Sequence, residues 1–146
     1  KGKPENLIKI ISRLEEEDCI LFGHSLGGRI ALEISEILTT KNNSQLHEVH
    51  LLGTAANNLQ KENISGYLMG LISIYLTINL KDDVLKKLYK ATQLGRYDAI
   101  GLNGLNYTND KLINVDVSNY VENHDEYAKS YQTIFTFMAK IKARLR

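Results

Sequence analysis

Cys19-Ile20-Leu21-Phe22-Gly23-His24-Ser25-Leu26-Gly27-Gly28-Arg29-Ile30-Ala31-Leu32 is the stretch from which the rest of the chain can be read. Its first four residues are a continuous apolar run, typical of a strand covered on both faces. After it, Ile30, Leu32, Ile34, Ile37 and Leu38 recur at helical spacing. Between the two, Gly23-His24-Ser25-Leu26-Gly27 matches G-x-S-x-G. A bare match arises often by chance, and a plain strand-to-helix turn also explains it. Its placement, after a strand and before a helix, is the one a nucleophile elbow requires. Glycines two before and two after the serine leave room where a Cβ would collide with backbone. Gly28 adds a close-packing glycine. The turn lifts the Ser25 hydroxyl off the sheet edge, and the backbone N–H of Leu26, at a helix N-terminus, becomes an oxyanion donor.

Working outward, Pro4 suits a first helical turn, and Leu7, Ile8, Ile10, Ile11 and Leu14 predict a helix over about Pro4 to Glu17. Downstream, Glu48 to Gly53 reads as a second strand and Ile72 to Ile78 as a third, with a helix-like piece around Leu59 to Met69 between them. Asn79 to Asp83 is a loop. Val84, Leu85, Leu88 and Tyr89 predict one face of a further helix, and Gly95 to Asp110 an irregular excursion. Leu112 to Val117 is a fourth strand, and about Asp125 to Arg144 a final helix. Strands that alternate with helices predict a parallel sheet with helices on both faces, an α/β fold. The whole chain, 1–146, reads as one domain.

A serine hydroxyl needs a base, and the base needs an acid to hold it. Four histidines are available. His24 lies inside the turn, where its side chain is expected to point away from the hydroxyl. His47 and His50 flank the second strand, and His50 reads as a core or edge histidine. His124 follows the last strand and precedes the final helix, so it is the candidate base. Asp83, in the loop after the third strand, is the candidate acid. Asp82 is its immediate rival, Asp98 a distant one, and Asp116 is expected to face solvent or cap a turn. Ser25, Asp83, His124 is the chain order of α/β-hydrolases. Such sites lie at the C-terminal edge of a parallel sheet.

The stretch Gly23-His24-Ser25-Leu26-Gly27-Gly28 looks like many lipases and esterases. A second match is more specific. Asp82-Asp83-Val84-Leu85 with Leu88-Tyr89, Gly101-Leu102, Asn114-Val115-Asp116-Val117-Ser118, His124 and Tyr127 together resemble one family. It is the α/β-hydrolase-like family of the transmembrane and coiled-coil domain proteins, long described as a domain of unknown function. The resemblance covers roughly residues 18–131. It implies Ser25, Asp83 and His124 as the triad, since the second position of the family's Asn-Asp pair falls on Asp83. Here Asp82 replaces that asparagine, and Val84 stands where an aromatic is common. A complete fold of this kind has earlier strands, one of them followed by the loop that gives a second oxyanion donor. The chain is therefore expected to be the C-terminal portion of an α/β-hydrolase, lacking the N-terminal strands, and the natural protein to be longer upstream.

Composition limits the alternatives. Hydrophobic residues make up 43% and charged residues 24%, the balance of a soluble globular chain. Eighteen basic against seventeen acidic residues leave +1, no reason to expect a nucleic-acid partner. Ile64 to Leu80 has no charged residue, yet its serines, threonine, asparagine and glycines favour a buried helix end and strand over a membrane span. Any membrane association is expected through the region before residue 1. The one cysteine, Cys19, forbids an intrachain disulfide and fits a cytoplasmic or membrane-associated protein facing a reducing compartment. No metal-ligand spacing and no phosphate-binding glycine loop is present, so no cofactor is expected. The expectation is a serine hydrolase acting on a small-molecule or lipid ester, with Tyr67 to Leu71 and the Gly95–Asp110 excursion as candidate acyl-pocket walls. The alternatives are an interaction domain that keeps the fold without the chemistry, and acyl transfer to an acceptor other than water.

Overall fold

The computed structural model describes residues 4–13, 19–40, 46–57, 72–105 and 110–145. Four strands, β1 (Cys19–His24), β2 (Leu46–Leu52), β3 (Ser73–Ile78) and β4 (Leu112–Asp116), form one sheet in the order β1-β2-β3-β4. Every pairing is parallel. Parallel neighbours cannot be joined by a hairpin, so the intervening chain must cross a face of the sheet. The expected strand positions hold to within two residues. The expected helix around Leu59 to Met69 lies outside the described residues.

Alternation along the strands sorts the core into two layers. Val49, Leu51, Ile74 and Leu76 pack with Ile8 and Ile11 of α1 (Pro4–Ile11) and with Ala31, Leu32, Ile34 and Leu38 of α2 (Leu26–Thr40). On the opposite face Leu52, Tyr75 and Val115 pack with Ile134 and Met138 of the C-terminal helix, Tyr131–Leu145. Fully burying each such aliphatic side chain contributes about 1.5–3 kcal/mol. The final helix starts later than its sequence pattern suggests. His124–Glu126 forms a separate 3-10 turn first.

Two elements depart from expectation. β1 is not covered on both faces: Ile20 is 43% and Phe22 39% exposed, whereas Leu112 and Val115 of β4, the sheet's other edge strand, are buried. The segment after β3 winds as a π-helix over Val84–Tyr89 before continuing as α3 (Lys90–Thr92). The wider turn swings Leu88 into solvent while Leu85 stays in the core, so the expected four-residue apolar face does not form. The Gly95–Asp110 excursion contains a short helix, α4 (Ile100–Asn103), and residues 106–109 lie outside the described set. The final helix is α5. Among the described residues no helix is long and apolar enough to cross a membrane.

Candidate functional site

Ser25 sits between the last residue of β1 and the first of α2, with a φ of 55°. A left-handed backbone at a non-glycine residue is strained, by about 1–3 kcal/mol, and persists only where its surroundings over-determine it. Here they do. The Ser25 N–H donates to Leu52 O at 3.0 Å, and Ser25 O accepts from Ala55 N and Gly28 N, both at 3.1 Å. Space is equally tight. A Cβ on Gly23 would lie 2.6 Å from Gly27 O, and one on Gly28 would overlap the Thr54 side chain. Leu26 is the first helical residue, and its N–H has no intrahelical acceptor.

The loops that leave β1, β2, β3 and β4 gather at the same C-terminal rim of the sheet. Asn79 knits two of them together. Its side-chain N–H donates to Val121 O at 2.9 Å, its own N–H donates to Gly101 O at 3.0 Å, and its Oδ1 accepts from Lys81 N at 3.0 Å. Gly101 lies so close to the β2 loop that a Cβ there would come 2.6 Å from the Gly53 carbonyl carbon and closer still to Thr54 N.

His124 is buried at this rim and is held from three sides. Its Nδ1–H donates to Asp82 Oδ2 at 2.7 Å. Its backbone carbonyl accepts from His24 Nε2 at 2.9 Å. Its ring lies 4.7 Å, centre to centre, from that of His24. Beneath both, Tyr127 is fully buried, and burial together with the Asp82 charge holds its phenol well above the usual range. The remaining nitrogen, His124 Nε2, is buried and makes no hydrogen bond, with the Ser25 hydroxyl or any other group.

The carboxylate that the structure brings to His124 is that of the rival candidate Asp82, and not that of Asp83. Asp82 is fully buried; its Oδ1 accepts from Leu85 N at 3.0 Å, capping the π-helix, which leaves Oδ2 for the imidazole. Asp83, one residue on, faces outward. Its side chain is 67% exposed and pairs with Lys87 at 2.8 Å, which holds the carboxyl below its ordinary range. The resemblance favoured the second aspartate; the one that reaches His124 is the first, in the turn before the helix. The other candidates are spoken for: Asp98 pairs with Lys90, and Asp116 accepts from Ser118 N at 2.9 Å in a turn. His50 is a core histidine between Glu48 and Met138. His24, expected to point away from the Ser25 hydroxyl, bonds the backbone carbonyl of His124, a role no local sequence pattern marks. Tyr67 to Leu71 lies outside the described residues.

A family profile described as "Protein of unknown function (DUF726)" matches residues 8–141. No curated protein and no solved structure matches the chain.

Proposed function

The chain belongs to the DUF726 family, and from that premise and the His124 environment we propose that it is a serine hydrolase of the α/β-hydrolase type that cleaves a carboxylic ester through an acyl-enzyme. The observation that carries the reading is the buried His124, held by Asp82 on one nitrogen and without a hydrogen-bond partner on the other, beside a strained serine turn. A carboxylate at Nδ1 fixes the tautomer that leaves Nε2 free to accept a proton, and stabilises the imidazolium that results.

Ser25 Oγ bonds to the ester carbonyl carbon while its proton passes to His124 Nε2. The Leu26 N–H stabilises the oxyanion. Collapse breaks the carbon–alkoxy bond, and the alcohol leaves with the proton from His124. Water then adds to the acyl carbon, gives its proton to the same nitrogen, and the acid departs as Ser25 recovers its hydrogen. Catalytic hydrogen bonds are often long before substrate binds and tighten in the complex, so the open Nε2 is compatible with this role.

The same open Nε2 favours a second reading, an interaction domain that keeps the fold without the chemistry. A fluorophosphonate probe separates the two. The hydrolase reading expects labelling at Ser25 that is lost in Ser25→Ala and in His124→Ala. A folded full-length protein that resists the probe supports the interaction domain.

A further inference from the structure

A second polar site adjoins the serine turn. A cleft of about 160 Å³ opens between α2 and the helix that follows β3, lined by Arg29, Ala56, Asn57, Tyr89 and Gln93. It is close to Ser25 along two paths. Arg29 stands three residues into α2 from Leu26, the residue after Ser25, a rise of ~4.5 Å along the helix. Ala56 follows Ala55, whose N–H donates to Ser25 O.

The lining is rich in donors: a guanidinium, a phenol and two carboxamides. Arg29 stands in the first turn of α2, where the helix dipole disfavours a cation, and no acidic residue shares that turn. Its only ionic partner among the described residues is Glu33, which meets Nε at 3.5 Å and leaves the two terminal nitrogens of the fork. The Arg29 charge also reaches Tyr89: burial raises the phenol's pKa and the guanidinium pulls it back. Arg29 and Tyr89 line the same cleft. A planar fork beside hydroxyl and amide donors matches an oxyanion such as carboxylate or phosphate.

We propose that this cleft is a subsite for an anionic group of the substrate, a carboxylate or phosphate carried a few bonds from the scissile ester. The proposal rests on the hydrolase reading for its substrate, but the site itself is testable apart from it. The direct comparison is between 4-nitrophenyl hydrogen glutarate and 4-nitrophenyl pentanoate, esters of equal chain length that differ by one carboxylate. The expected result is a higher kcat/KM for the glutarate, a glutarate-to-pentanoate ratio that falls about tenfold or more in Arg29→Gln, and a ratio that rises in Glu33→Gln. The same ratio in wild type and Arg29→Gln overturns the subsite. If neither ester is cleaved and Ser25 resists the fluorophosphonate, the hydrolase reading fails. Calorimetric titration of inorganic phosphate into wild type and Arg29→Gln then judges the cleft alone. Binding that Arg29→Gln weakens keeps it as an anion site, and equal or absent binding removes it.

Discussion

At Asp82 one carboxylate serves two partners. Oδ1 caps the π-helix through Leu85 N, and Oδ2 holds His124 Nδ1. Replacing it by asparagine keeps the shape and can keep the cap, but offers the imidazole the wrong charge and tautomer. Asp82→Asn should therefore lower the rate of fluorophosphonate labelling by a factor on the order of 10³–10⁴, while Asp83→Asn leaves it unchanged. The reverse order of effects would return the acid to Asp83. The sequence held a clue to this choice: Asp83 and Lys87 stand four apart, the spacing of a solvent-facing helical pair. What it lacked was the path of the turn before the helix, which aims Asp82 at a histidine forty-two residues away. His24 lay beyond sequence reasoning for another reason, since its partner is a backbone carbonyl a hundred residues away. Removing that hydrogen bond in His24→Phe should slow labelling roughly five- to tenfold, by the ~1 kcal/mol of a typical net bond. His24→Gln, which keeps a donor, should recover most of the loss. Equal rates for both variants would mean that the bond does not position His124.

The strands were legible because each is a short apolar or alternating run bounded by polar residues. α2 was legible because its period is 3.6 over fifteen residues. α5 shows what docking adds to such a pattern. It is seated by Ile134 and Met138, but also by a polar cluster on β2. There, His50 contacts Met138 and bonds Glu48 at 3.1 Å, and Lys142 meets Glu48 and lies 5.6 Å from the centre of the Tyr75 ring. Burial lowers the His50 pKa, and Glu48 only partly restores it. For Glu48 burial pushes the carboxyl up, but Lys142 and His50 outweigh it and hold it below its ordinary value. The signs agree. An unfolded histidine takes a proton near pH ~6.5, and folded His50 resists it, so this stability is complete above that pH and declines as pH falls through and below it. The Glu48 contribution is present above the ordinary carboxyl range and is lost as pH falls through its lowered folded value. Urea midpoints should therefore decline from pH 7 to pH 5, and less steeply in His50→Gln. An equally steep decline in the variant would assign the acid sensitivity to other groups.

Across the described residues, the four loops at the C-terminal rim are locked together while the edge strands of the sheet, β1 and β4, have no further strand beside them. The lock is close contact. Gly101 has no room for a Cβ against the Gly53–Thr54 backbone, so Gly101→Ala should destabilise the fold by about 1–3 kcal/mol, as overpacking does. It should also slow labelling at Ser25, because the β2 loop that it pushes on carries Ala55, the donor to Ser25 O. Of the two edges β1 is the one that carries exposed apolar side chains. Its outer backbone edge has no strand beside it among the described residues, and Ile20 and Phe22 stand partly exposed along it. Unpaired edges of this kind template pairing with another chain, and natural proteins blunt them with charge, proline or a bulge. β1 carries neither charge nor proline in Cys19-Ile20-Leu21-Phe22, and its pairing irregularity falls at the first step, Cys19 to Ile20, which leaves the rest regular. This 146-residue chain should therefore self-associate at tens of micromolar concentration, visible as a rise in sedimentation coefficient with loading. Ile20→Lys sets a charge on the exposed part of the edge. It should return the chain to monomer with its far-ultraviolet circular dichroism intact. Phe22 is left in place because its ring packs against His50 and Tyr131, at 4.6 and 5.3 Å between centres. A wild-type chain that sediments as a monomer at every concentration would show that the β1 edge is already protected.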